Sequence, residues 1–121
     1  GWGMRVINER TFQLLGLRVL LLSDNRLKEL SPRFIRLKEL RVLDLSRNML
    51  RSLPDGFSNL SNLVELDLSN NQLREFPMEL LKIPNLKRVY LQGNPFIRLS
   101  DFGCLQETLS QFWPNCVWKF E

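Results

Sequence analysis

A chain of 121 residues with 44% hydrophobic and 25% charged side chains has the make-up of one globular domain rather than of a disordered or membrane-embedded chain. Its formal charge of +4 is uneven: residues 1 to 51 hold eleven Lys/Arg against five Asp/Glu, and residues 52 to 121 hold six against eight. No apolar run approaches the ~18 residues a membrane helix needs, and the absence of histidine removes the commonest general base and metal ligand.

Taken in chain order, residues 4 to 17 read as the returning half of an earlier unit, with Met4, Ile7, Leu14 and Leu17 at its apolar offsets and no strand supplied upstream. From Leu17 the pattern L-x-x-L-x-L-x-x-N-x-L runs to Leu27. It returns at Leu40 to Leu50, at Leu63 to Leu73 and, with Val and Phe replacements, at Leu86 to Phe96, always 23 residues on. The connecting stretches LKELSPRFIRLKEL, LRSLPDGFSNLSNL and LREFPMELLKIPNL also align, so four units stand in register. Such a period signals a stacked repeat architecture. The L-x-L alternation predicts a short strand with one buried side, and each return predicts a loop, a turn and a short helix. Neither half hides its apolar face alone. Stacking does so by pairing each strand in parallel with the next at ~4.8 Å around one shared core.

The polar residue inside each apolar row, Asn25, Asn48, Asn71 or Asn94, falls where the chain turns inward at a strand's end. Backbone groups there face the interior without a ladder partner, at roughly 1–3 kcal/mol for each one left unpaired. An amide donates and accepts, so stacked asparagines can bridge the turns of successive units.

After Asn94 the segment DFGCLQETLSQFWPNCVWKFE is dense in large apolar groups. Phe102, Leu105, Leu109 and Phe112 recur at helical spacing and Pro114 stops the run, which predicts an amphipathic helix closing the end of the stack. Two cysteines are too few for a disulfide framework, so reduced thiols are expected, with Cys104 packed on that helix and Cys116 a small buried group. At the front, only Trp2 and Met4 are available to cover Leu17 and Leu20, a thin cap that points to a fragment of a longer chain. Asn59-Leu60-Ser61 matches a glycosylation acceptor, but the repeat itself writes Asn-Leu-Ser there.

These residues, from about 4 to 121, resemble a leucine-rich repeat protein of the 23-residue intracellular type, whose units run L-x-x-L-P-x-x-F/L-x-x-L-x-x-L-x-x-L-x-L-x-x-N. Pro114, Cys116 and Val117 to Phe120 resemble the Pro-x-Leu-x-x-Leu-Asp stretch of its C-terminal cap, with Cys116 where a leucine is usual. The resemblance implies an α/β solenoid with a curved parallel sheet on the concave face, loops and short helices on the convex face, and a helical cap. It divides one domain, 1–121, into a partial N-terminal unit at 1–16, four repeats at 17–96 and a cap at 97–121. It also implies an intracellular adaptor or scaffold, cytoplasmic or nuclear, since extracellular members carry cysteine-rich caps at both ends.

With the leucines committed to the core, partner information lies in the variable strand positions, which form columns because equal offsets sit side by side. One column is Leu21, Asp44, Asp67 and Tyr90, and its neighbour is Val19, Val42, Glu65 and Arg88. Arg18, Arg41, Val64 and Lys87 run along one flank, and Asp24, Arg47, Asn70 and Gly93 along the other. Aliphatic and aromatic groups rimmed by arginine are the composition of a protein-binding surface. The partner-binding set expected is therefore Arg18, Val19, Leu21, Arg41, Val42, Asp44, Arg47, Glu65, Asp67, Asn70, Arg88 and Tyr90. Asp44 and Asp67, on adjacent strands, have the spacing of a glycosidase pair but lack a pocket to raise one pKa, and Ser23, Ser46 and Ser69 have no histidine to activate them. The expectation is a non-catalytic module with no cofactor, metal, small-molecule substrate or membrane. A second column, Arg5, Lys28, Arg51 and Arg74, defines the alternative of an acidic partner or nucleic acid on a basic flank. A structural or oligomerising role through the open front end is the third.

Overall fold

The computed structural model describes residues 3, 5 and 7–121, so Trp2 and Met4, the expected front cover, lie outside the described residues. Among the described residues five three-residue strands, β1 (Val19–Leu21), β2 (Val42–Asp44), β3 (Glu65–Asp67), β4 (Arg88–Tyr90) and β5 (Val117–Lys119), form one sheet in the order β1-β2-β3-β4-β5. All neighbours pair in parallel, with Leu20, Leu43, Leu66, Val89 and Trp118 in one inward row. The returns are short 3₁₀ helices at Glu9–Gln13, Pro32–Arg36, Phe57–Asn59, Met78–Lys82 and Pro95–Arg98. A 3₁₀ turn rises ~2.0 Å per residue against ~1.5 Å in an α-helix, so a few residues span the convex side of a coil. The chain is thus a leucine-rich-repeat-type solenoid.

The leucines of the interior coils are fully excluded from water: Leu37, Leu40, Leu45, Leu60, Leu63 and Leu68 are each 0% exposed. Phe34 and Phe57 fill the convex side at equivalent positions. The first coil departs from this register. Its aromatic stands one place later, as buried Phe12, edge-on to Phe34 at 5.4 Å, while Leu14, predicted in the core, is 55% exposed. Leu14 occupies the place of Leu37 and Leu60 on the outermost described coil, where no described coil covers its outer side.

The asparagines bridge successive turns. Asn48 Nδ2 donates to the carbonyls of Leu22 and Leu45, both at 3.0 Å, while its Oδ1 accepts from the Leu27 N–H at 3.1 Å. Asn71 repeats this with Leu45, Leu68 and Leu50, and Asn94 with Leu68, Leu91 and Leu73. Each amide therefore ties one turn to the turn before it, and the row of polar side chains is part of the core's hydrogen bonding.

Helix α1 (Phe102–Phe112) and β5 close the far end. Phe96, Phe102 and Phe120 meet edge-on with ring centroids 4.9 to 6.3 Å apart, and Trp118 lies edge-on to Phe76 at 5.5 Å. Two expectations for the cap are corrected. Cys104 is exposed, because Phe102, Leu105 and Leu109 take the inward face of α1 and position 104 lies on the other side. Phe112 is 64% exposed at the end of α1, its ring set against Trp113 rather than the core. Cys116 is half-buried, and burial pushes its thiol up to about 11.

Candidate functional site

The outward side of the sheet carries the two predicted columns in register, each lengthened by β5. Val19, Val42, Glu65, Arg88 and Val117 lie side by side, as do Leu21, Asp44, Asp67, Tyr90 and Lys119. Val117 and Lys119 were missed in the sequence reading. The V-W-K alternation after Pro114 is their only sequence signal, and it lacks the leucines that mark the other strands.

The face is graded along the stack. At β1 it is apolar, with Val19 51% and Leu21 66% exposed, and half-buried Val42 continues the patch. Asp44, Glu65 and Asp67 form an acidic middle. At β4 and β5 exposed Arg88 and Lys119 flank Tyr90, whose hydroxyl donates to Glu65 Oε1 at 3.3 Å. Exposed Arg18, Arg41 and Lys87 line one flank.

The two aspartates also serve the backbone. Asp44 Oδ1 accepts from the Ser46 N–H at 2.9 Å and hydroxyl at 2.7 Å, and Asp67 Oδ1 accepts from Ser69 at 2.9 and 2.6 Å. The serine column is thereby explained: its hydroxyls bind carboxylates of the same turn. Ser23 has Leu21 two residues before it and so has no such carboxylate. Among the described residues no group of three or more His, Cys, Asp or Glu is placed to hold a metal ion.

The flank column Asp24, Arg47, Asn70 and Gly93 marks a left-handed turn in every unit, with φ of 59°, 54°, 57° and 75°. Arg47 pairs with Asp24 at 3.3 Å on the surface. Asn70 reaches over Gly93, where a Cβ would lie 2.2 Å from Asn70 Oδ1. Predicted partner residues Arg47 and Asn70 thus sit at strained turns beside the sheet rather than on a strand.

The basic column divides. Arg5 and Lys28 line a groove of about 970 Å³ on the flank of the first coils, whereas Arg51 and Arg74 are exposed outside its lining.

The sequence model of the family described as leucine rich repeat matches residues 4–50 and 16–73, and that described as Leucine Rich repeats (2 copies) matches residues 61–106. Among solved structures the chain is similar to a leucine-rich repeat protein of Leptospira interrogans, with 34% identity and a TM-score of 0.80 over 95% of this chain and 28% of that one. This chain therefore spans less than a third of that relative's length. It is also similar to a chain in the crystal structure of the Drosophila melanogaster SNF/U2A′ complex, at a TM-score of 0.79 over 100% of this chain and 70% of that one. The identity there is 23%, so that likeness shows the fold alone. No curated protein sequence matches the chain significantly.

Proposed function

The chain belongs to the leucine-rich repeat family, and from that premise we propose that it is a non-catalytic interaction module that binds a partner protein across its concave strand face. Leucine-rich repeat domains in general mediate protein–protein interaction, and the family is generally a non-enzymatic fold. The observation that carries the reading is the graded face itself. A rigid sheet with its leucines inward presents exposed Val19 and Leu21, an acidic middle and a basic, aromatic end in adjacent columns. Tyrosine and arginine, here Tyr90 and Arg88, are enriched among the few residues that supply most of the energy at protein interfaces. We place the module inside the cell, where free thiols such as Cys104 and Cys116 persist.

Affinity capture from the source cell tests this with three baits: the wild-type chain, a Leu21→Glu/Arg88→Glu face variant, and an Arg51→Glu/Arg74→Glu flank control. A partner held by the wild type and the control and lost from the face variant is expected. Titration of that partner against single changes at Leu21, Arg41, Arg88 and Lys119 should then cost more than about 1 kcal/mol at two or more positions. Equal retention by the face variant would falsify the assignment.

A further inference from the structure

The groove of about 970 Å³ lies away from the strand face, on the flank where the chain leaves the asparagine turns for the convex side, and three successive coils contribute to it. Its floor is apolar: buried Ile7, Phe12 and Leu30, half-buried Leu53 and the 41% exposed Met49. In the next coil the place of Leu30 and Leu53 is taken by Phe76, which is buried against Phe96 and Trp118. The groove thus falls where the smaller side chains stand. Its lining also carries Arg5, Arg26 and Lys28, none of which makes an ion pair among the described residues, with Glu9, Glu29 and Asp55. Glu9 is already held by Arg33, which leaves, among the described residues, three unpaired cations against two unpaired carboxylates in the lining.

We propose that this groove is a second binding site, taking an extended segment of a partner protein in which an aliphatic side chain is flanked by carboxylates. The volume is near the upper end for ligand sites, roughly 300–1,000 Å³, and an apolar floor with a few charges at its edge matches their usual make-up. The aliphatic group covers Leu30, Leu53 and Met49, and the carboxylates meet Arg5, Arg26 and Lys28, where the charge excess fixes their sign. A bare acyl chain would strip water from Glu29 and Asp55 and give them nothing in return, whereas a peptide offers them backbone N–H donors. Nucleic acid is disfavoured by the same two carboxylates and by the burial of Phe12, which leaves no exposed ring in the lining for a base to stack on.

The test is fluorescence anisotropy of the full chain with a labelled eight-residue peptide of alternating leucine and aspartate. Saturable binding is expected. The exposed double change Arg26→Glu/Lys28→Glu should weaken it by about tenfold or more, and Met49→Glu should weaken it as well. Arg51→Glu/Arg74→Glu, outside the groove, and Leu21→Glu, on the strand face, should leave it unchanged, which separates this site from the proposed concave one. The site is overturned by absent saturation, by equal binding of the peptide with lysine in place of aspartate, or by an equal loss in either control.

Discussion

At the scale of single residues the solenoid depends most on the asparagine in each turn. Asn71 makes four hydrogen bonds, donating to Leu45, Leu68 and Ser69 carbonyls and accepting from the Leu50 N–H, while 2% exposed. Its donors and acceptor are both needed. Asn71→Ala should therefore lower stability by about 2 kcal/mol, because the Leu50 N–H loses its acceptor in the interior, while the Leu45 and Leu68 carbonyls keep Asn48 and Asn94 as donors. Asn71→Asp keeps the size but turns an oxygen toward the Leu45 and Leu68 carbonyls, so urea denaturation should show a loss at least as large. A milder Asp variant would mean that volume matters more there than hydrogen bonding. The two thiols form a second contrast. Cys104 is exposed, whereas burial holds the Cys116 thiol near 11, so at pH 8 only about one Cys116 in a thousand is thiolate. Iodoacetamide followed by mass spectrometry should find Cys104 modified first. Cys116 alkylation should climb about tenfold per pH unit until pH approaches that value, since the raised pKa keeps the thiol protonated below it. Faster labelling of Cys116 at pH 8 would contradict the placement of both residues.

At the scale of elements, the cap depends on aromatic contacts. Trp118 fills the β5 place in the inward row and lies edge-on to Phe76. Trp118→Ala should cost about 2–4 kcal/mol in thermal or chemical unfolding, whereas Phe112→Ala, which removes a 64% exposed ring, should change stability little. Comparable losses from the two would place Phe112 in the core after all. The cap also shows how far a sequence can be read. β1 to β4 were legible because identical offsets recur, so the leucines of one unit predict the next, and the outward columns follow from the same register. β5 was not, since Val117 to Lys119 has no leucine, stands further along than the repeat spacing, and pairs with β4 only because α1 brings it back. The one-place shift of Phe12 was hidden likewise: an aromatic among polar residues carries no register until Phe34 is placed beside it. Neither could the flank groove be seen, because it arises from a difference in side-chain size between coils, and difference is what a repeat pattern averages away.

At the scale of the whole molecule, each coil touches chiefly its neighbours, so stability is distributed along a line and is least at an uncovered end. Four amides at one offset probe this directly. Leu22, Leu45, Leu68 and Leu91 each donate to the following coil, at 2.8, 2.8, 2.8 and 2.7 Å. Their hydrogen bonds are alike, so differences in hydrogen exchange report local opening and not bond quality. Leu91 lies beneath β5 and the aromatic cluster of the cap, and Leu45 and Leu68 lie between complete coils. Around Leu22 the first coil leaves Leu14, Leu15 and Leu21 more than half exposed and Leu20 only half-buried. The Leu22 amide should therefore exchange at least about tenfold faster than Leu45 and Leu68, a difference of about 1.4 kcal/mol in opening free energy, with Leu91 close to the interior pair. Two-dimensional nuclear magnetic resonance spectra recorded after transfer to deuterated water measure all four together. Uniform rates would mean that the coils open only as one cooperative unit. Fastest exchange at Leu91 would show that α1 and β5 do not cover the far end, and the graded strand face would then lose the support of its basic, aromatic edge.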